Sequence, residues 1–125
     1  MSDLTKLSCQ EFLKKLSSNA PTPGGGGGAA MAGALAAALT SMVGNLTVGK
    51  HDFAEQEAEV KEILLDIEGL RLQLLNLVNA DAEVFNNFMA CYRMPRGTDL
   101  EKFSRAQAIQ RAAKQAAEVP LKMAM

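Results

Sequence analysis

Asp81 is the residue whose type and position most directly suggest chemistry. Steps of three and four residues through positions 55–92 select a helical face that is otherwise uncharged and mostly apolar. The other members of this face are Ile63, Ile67, Leu70, Leu74, Leu77, Val84, Phe88 and Cys91. Burial on such a face raises the pKa of a carboxyl group, which suits it to general acid or base catalysis. The same position also fits a structural aspartate that caps or bridges to another helix.

A run of glycines behind two prolines is the second candidate site. Pro23 is followed by Gly24, Gly25, Gly26 and Gly27. Bare backbone at the start of a helix offers free N–H groups to a small anionic or carbonyl-bearing ligand. A phosphate-binding P-loop is excluded, because no Gly-Lys-Ser or Gly-Lys-Thr closes the run. A flexible linker between helices is an alternative that glycine content alone leaves open.

Two long helices would have to position these groups. The alanine-rich segment from about residue 28 to about residue 47 predicts a thin helix at the centre of a bundle. Positions 55–92 show a helical apolar repeat without proline. As one helix they would extend about 57 Å, whereas a compact domain of this size is about 35 Å across. We therefore expect either a break near Gly69 or, preferably, a homo-oligomer such as a dimer.

The remaining segments predict two shorter helices. The first is amphipathic and covers residues 4–16, with Ser2 or Ser8 as its cap, and the second runs from about residue 98 to about Ala117. Pro120 would kink any continuation, and the apolar C-terminus has no cap, which suggests a truncated chain or an end covered by a partner. The sequence therefore predicts one all-α domain over residues 1–125, a bundle of long helices.

Composition argues against several classes of partner. With 13 basic and 14 acidic residues the formal net charge is −1, so neither nucleic acid nor an anionic membrane is expected as a partner. Cys9 and Cys91 are expected to be buried thiols, and His51 is the only histidine, so no metal site is expected. Because the N-terminal residues lack a secretory signal and no segment has the composition of a membrane span, we expect a soluble cytoplasmic protein.

Six short motifs carry a resemblance to a known family. They are PTPGGG (21–26), AAMAGALAAAL (29–39), SMVGNLTVGK (41–50), LVNADAEVFNNFM (77–89), YRMP (92–95) and AEVPL (117–121). In their order and spacing the chain resembles the cyclodeaminase and methenyltetrahydrofolate cyclohydrolase family, which also forms the C-terminal domain of formiminotransferase-cyclodeaminase. The resemblance covers nearly the whole chain. It implies an all-α homodimer that binds a folate at the glycine-rich segment and uses neither metal nor nucleotide as cofactor.

The resemblance also implies a reaction at a carbon between two nitrogens. A cyclodeaminase converts 5-formiminotetrahydrofolate to 5,10-methenyltetrahydrofolate with loss of ammonia, and this is the first expectation. The alternative is a cyclohydrolase, which opens the methenyl compound with water to 10-formyltetrahydrofolate. By the resemblance Asp81 is the catalytic residue and residues 23–27 bind the substrate, the glycines among them through backbone N–H groups. Lys50, Arg93 and Arg96 are candidates for binding the carboxylates of the glutamate tail.

Three departures from the family pattern leave a further alternative open. Gly27 stands where many members carry serine, and Asn79 stands where many carry aspartate. The family domain continues with further helices beyond the AEVPL motif, so the domain is expected to be truncated at its C-terminus relative to the family. The alternative is a helical oligomerisation module without catalytic activity.

Overall fold

The computed structural model describes residues 2–125, and every regular element in that range is helical. A short 3₁₀ turn over Leu4–Lys6 precedes α1 (Cys9–Leu16) and α2 (Gly25–Thr47). A second 3₁₀ segment, His51–Gln56, leads into α3 (Glu57–Tyr92), and α4 covers Asp99–Ala124. The predicted all-α fold is confirmed.

The predicted opening helix is divided in two by a capping box at Ser8. The Ser8 Oγ accepts a hydrogen bond from the Glu11 N–H at 3.1 Å, and Glu11 Oε2 accepts one from the Ser8 N–H at 2.9 Å. Such reciprocal bonds satisfy donors at a helix start, so α1 begins only at Cys9. Prediction of one continuous helix over residues 4–16 was therefore wrong, whereas Ser8 as a cap is confirmed.

The glycines belong to α2, which begins three residues earlier than the sequence predicts. Gly24 is the N-cap and Gly25 the first helical residue, so the interpretation of the run as a flexible linker is wrong. One face of α2 is buried and consists of small residues at helical spacing: Gly27, Ala30, Ala34, Ala37 and Ser41. Small side chains let α2 lie close to α3. A Cβ at Gly44 would lie 2.7 Å from Leu64 Cδ2, and one at Gly33 would lie 3.1 Å from Leu74 Cδ1.

The central element is α3, because both α2 and α4 pack along it. Its 36 residues form one helix through Gly69, about 54 Å long, so the predicted break does not occur. Within the single chain α2 leaves a row of large apolar side chains exposed, so the central position predicted for the alanine-rich helix stays a prediction for an oligomer. Only part of the predicted apolar face of α3 is buried: Leu70 is 50% exposed, while Val78 and Ala82 are the buried residues of this helix.

α4 returns along α3 in the opposite direction. It starts at the Thr98 cap, whose Oγ1 accepts the Glu101 N–H at 3.1 Å. It passes through Pro120 and ends at Ala124, beyond the predicted end near Ala117. Near the turn, Arg105 donates from Nη2 to the Tyr92 carbonyl at 3.2 Å and lies over the Tyr92 ring at 5.3 Å. The guanidinium thus occupies the C-terminal end of α3, where the helix dipole favours a cation.

The N-terminal segment, α1, α2 and α3 share one small core. Its buried members are Leu4, Phe12, Ala30, Val78 and Ala82. The two cysteines lie outside it: Cys9 is exposed and Cys91 half-buried, so the prediction of two buried thiols was wrong for Cys9. The core lies on the residues that flank Asp81 in α3, and it therefore fixes the helix that carries this carboxylate.

By length and composition α2 could cross a membrane, which corrects the expectation that no segment has this character. Among the described residues it is the one helix that meets the criterion, with a mean hydropathy of 1.5. Core helices of soluble proteins meet the same criterion. The finding therefore identifies an unusually apolar helix and does not by itself place it in a bilayer.

Candidate functional site

A cavity of about 290 Å³ lies where the start of α2 meets the middle of α3. The loop before α2 and one residue of α4 complete its wall. Its lining residues are Pro21, Thr22, Gly24, Gly25, Gly26, Asp81, Val84, Phe85 and Ala116. The predicted catalytic residue and the predicted glycine-rich segment therefore meet at one place in the fold.

Asp81 caps α2 although it belongs to α3. The N-cap residue Gly24 has no side chain and makes no side-chain cap hydrogen bond. The Asp81 carboxylate instead accepts a hydrogen bond from the Gly27 N–H, one of the free donors at a helix start. A negative charge is also favoured there by the helix dipole. The structural and the chemical interpretation of Asp81 thus describe the same geometry.

Gly26 allows this close approach of the two helices. A Cβ at Gly26 would lie 2.7 Å from both Cγ and Oδ2 of Asp81, closer than non-bonded atoms tolerate. By contrast, a Cβ at Gly25 would meet nothing within 4 Å. The glycine is therefore required at one position of the run by the carboxylate itself.

Burial raises the pKa of Asp81 above its ordinary value of 3.8, and the hydrogen bond from Gly27 opposes this in part. The side chain is half-buried and borders the cavity, so it remains within reach of a ligand. A carboxyl group whose pKa moves toward neutrality can both accept and return a proton. The site is thus suited to proton transfer to and from a small bound molecule.

The structure separates the predicted substrate-binding residues into three groups: glycines that line the cavity, residues that support it from behind, and the three basic residues, which lie far from it. Gly24, Gly25 and Gly26 line the cavity, while Gly27 lies behind them as the donor to Asp81. Pro23 is buried against the first turn of α2 and does not line the cavity. A Cβ at Gly27 would lie 3.3 Å from the Pro23 Cβ. Pro23 and Gly27 therefore support the site from behind.

The three basic residues lie far from the cavity within one chain. Lys50 follows the C-terminus of α2, about 35 Å along the helix from the glycines. Arg93 follows the end of α3, about 18 Å along that helix from Asp81, and Arg96 lies in the next loop. All three are exposed. Their assignment to the glutamate tail stays a prediction.

Several lining residues were not predicted from the sequence. Thr22, Phe85 and Ala116 come from a loop and from two different helices. A usable signal existed only for Phe85, which follows Asp81 by four residues and therefore lies on the same helical face. The helical face that was selected by steps of three and four residues through Asp81 includes Val84 and omits Phe85. Ala116 carries no sequence signal, because only the fold brings α4 to the cavity.

Asn79, which replaces an aspartate found in many family members, has a structural role here. Its Oδ1 accepts the Leu4 N–H at 2.9 Å, and its Nδ2 donates to Asp3 Oδ1 at 2.6 Å. It does not line the cavity. Within residues 2–125, Asp81 is the single titratable residue that lines the cavity.

The chain is thus an all-α protein in which a carboxylate from one helix caps a glycine-rich second helix beside a small cavity. The family model described as formiminotransferase-cyclodeaminase matches residues 8–125. The chain belongs to this family.

Individual relatives agree with this assignment. The chain is 51% identical over 112 residues to the methenyltetrahydrofolate cyclohydrolase of Methylorubrum extorquens, covering 90% of this chain and 54% of the relative. It is 36% identical to the formimidoyltransferase-cyclodeaminase of Mus musculus over 97% of this chain and 22% of the relative. The crystal structure of formiminotetrahydrofolate cyclodeaminase from Thermotoga maritima superposes with a TM-score of 0.77 at 35% identity, covering 94% of this chain and 54% of that one. The chain thus spans about half the length of two of these proteins.

Proposed function

We propose that this protein hydrolyses 5,10-methenyltetrahydrofolate to 10-formyltetrahydrofolate. The observation that carries the proposal is the Asp81 carboxylate, held by the Gly27 N–H at a cavity and raised in pKa by burial. The side chain is half-buried, so water can reach it. The cyclohydrolase named above supports this reaction through its 51% identity.

The proposed mechanism uses Asp81 first as a base and then as an acid. A water molecule adds to the methenyl carbon, and the carboxylate accepts a proton from it, which gives a neutral tetrahedral adduct. Asp81 then returns this proton to N5 as the bond between carbon and N5 breaks. The remaining hydroxyl loses its proton, the carbonyl of the N10-formyl group forms, and one proton is released overall. A carboxyl group with a raised pKa suits both transfers.

Cyclodeamination of 5-formiminotetrahydrofolate is the second candidate. The structural similarity to the Thermotoga maritima cyclodeaminase favours it. In this reaction N10 attacks the carbon of the protonated formimino group, Asp81 accepts the proton of N10 and delivers it to the amino group that results, and ammonia departs to leave the methenyl cation. The tetrahedral carbon and the role of Asp81 are the same in both reactions, so the choice depends on the nucleophile that the bound substrate or solvent presents.

Absorbance at the methenyltetrahydrofolate band distinguishes the two reactions. Accelerated loss of the band from added 5,10-methenyltetrahydrofolate identifies a cyclohydrolase, and formation of the band from 5-formiminotetrahydrofolate identifies a cyclodeaminase. Asp81→Asn should lower kcat by roughly 100- to 10,000-fold, the usual contribution of general acid–base catalysis. If a folded sample converts neither substrate, both proposals fail. A helical oligomerisation module without catalytic activity is then the remaining interpretation.

We further propose that two copies of the chain form a homodimer. The chain exposes 8838 Å², whereas a folded monomer of 13.3 kDa exposes about 6,500 Å². The excess of about 2,400 Å² is in the range that obligate dimers bury per subunit. Exposed apolar surface is prominent on α2, where four large side chains are each more than half exposed: Leu35, Leu39, Met42 and Leu46. Their spacing of four, three and four residues is that of a helix-packing seam.

A charge placed in this row tests the dimer. Leu39→Glu should convert a dimer to a monomer in light scattering, because it buries an unpaired carboxylate in the contact. Leu100→Glu is the matched control, since Leu100 is 75% exposed on α4 and lies outside the row. A monomeric wild-type protein contradicts the proposal. Binding of the wild type, but not Leu39→Glu, to lipid vesicles would instead assign the row to a membrane.

We also propose that the enzyme works in the cytoplasm and needs no cofactor. Both cysteines are free, and Cys9 is exposed, as is usual in a reducing compartment. Among residues 2–125 no three histidine, cysteine or acidic side chains converge on one point. Turnover should therefore be unchanged after dialysis against a chelator, and a loss that added metal restores would contradict this proposal.

A further inference from the structure

Phe85 forms an apolar wall of the cavity directly beside the carboxylate. It follows Asp81 by four residues in α3, so the two side chains project from the same helical face one turn apart. Both line the cavity. Among the described lining residues, Phe85 is the one with an aromatic ring, and it is half-buried. A flat apolar surface therefore stands next to the proton-transfer group.

The volume of the cavity limits what can lie on this surface. At about 290 Å³ it is at the lower end of small-molecule sites. It can take the fused-ring head of a tetrahydrofolate, whereas the aminobenzoyl-glutamate tail must extend outside. The distant positions of Lys50, Arg93 and Arg96 agree with a cavity that contacts only the head. The head carries N5, one of the two nitrogens joined to the reacting carbon.

We propose that Phe85 is a specificity-determining residue that stacks on the flat pyrimidine part of the substrate's fused ring. This inference rests on the proposed folate chemistry. Stacking between flat rings is favoured in an offset geometry, and the four-residue spacing places such a ring beside Asp81. Val84 and Ala116 add further apolar surface to the cavity wall. Phe85 thus selects a planar bicycle, while Asp81 moves the protons.

Equilibrium binding of substrate fragments tests the proposal. The probes are tetrahydrofolate, a tetrahydropterin without the tail, and aminobenzoyl-glutamate, each titrated calorimetrically into the full chain. Phe85→Leu should raise the Kd of the first two by the same factor, roughly 10-fold, and leave the third unchanged. Phe88→Leu is the matched control, because Phe88 lies one turn further along α3, contacts Tyr92 and does not line the cavity.

Kinetics separates a binding role from a structural one. Phe85→Leu should raise KM by about the same factor as Kd and change kcat little, as expected when an interaction is equal in ground and transition states. Phe85→Tyr, which keeps the ring, should bind the tetrahydropterin several-fold more tightly than Phe85→Leu. If the role of Phe85 were merely structural, Phe85→Leu would have a lower unfolding midpoint, and Phe85→Tyr would bind the tetrahydropterin no more tightly than Phe85→Leu.

Two outcomes overturn the proposal, and they differ. If the wild type binds tetrahydropterin and Phe85→Leu binds it equally well, the assignment of Phe85 is wrong while the folate function stands. If the wild type binds neither tetrahydrofolate nor tetrahydropterin, the proposed function fails and the assignment fails with it.

Discussion

Gly26→Ala should separate the activity of this protein from its stability. The added methyl group would lie 2.7 Å from Cγ and Oδ2 of Asp81, about 1 Å inside a normal contact. The neighbouring atoms belong to the carboxylate of Asp81, the proposed catalytic residue, and are not the end of a long flexible side chain. Either Asp81 turns away from the Gly27 N–H or the start of α2 moves, and both change the position of the carboxylate at the cavity.

The effect on stability should be small because two contributions oppose each other. Forcing an extra methyl group into a packed site costs about 1–3 kcal/mol. Replacing glycine by alanine in a helix gains about 0.5–1 kcal/mol. The free energy of unfolding should therefore fall by about 0–2.5 kcal/mol, which urea unfolding can measure. A displacement of about 1 Å, however, can lower the rate about 100-fold.

The assay compares kcat/KM from methenyltetrahydrofolate absorbance with the unfolding midpoint. Gly69→Ala is the matched control: it lies in α3, a Cβ there meets nothing within 4 Å, and it should gain about 0.5–1 kcal/mol of stability with unchanged kcat/KM. Gly25→Ala, next to Gly26 but with nothing within 4 Å of its Cβ, tests whether any methyl group in the run suffices. Full activity in Gly26→Ala would refute the argument that this glycine positions Asp81.

Three further predictions concern pH, the N-terminal segment and the turn between the last two helices. Because the pKa of Asp81 is raised in the folded state, this carboxyl group holds its proton more tightly in the native protein just above pH 3.8, and its contribution to the free energy of unfolding should fall as the pH rises through that window. Asp81→Asn should lack this decrease in urea unfolding at a series of pH values; parallel curves for the two proteins would contradict the burial argument. Asn79→Ala leaves the Leu4 N–H without its acceptor and should lower the free energy of unfolding by about 1–2 kcal/mol, whereas no change would mean that water replaces the side chain. Arg105→Lys keeps the charge but loses the paired contact with the Tyr92 carbonyl and ring, so it should cost about 0.5–1 kcal/mol, with an unchanged thermal midpoint as the contrary result.

The helices and the identity of the carboxylate follow from local patterns. The apolar repeat of residues 55–92 and the absence of proline there specify α3, and the same repeat singles out Asp81 as a charge on an apolar face. Ser8 is a cap that the sequence already indicates. These features depend on neighbours a few residues away, which is why they can be identified without the fold.

Where α2 begins and which residues share the cavity were decided by contacts between distant parts of the chain. The glycine run is helical from Gly25 because Asp81, far along the sequence, provides the cap that Gly24 cannot. Phe85 and Ala116 face one cavity only because α4 folds back along α3. The sequence alone thus determined the helical class, the small-residue face of α2 and the chemical group. The tertiary structure decided which backbone amide holds that group and which surfaces enclose it, because periodicity describes one helix at a time and not how two helices meet.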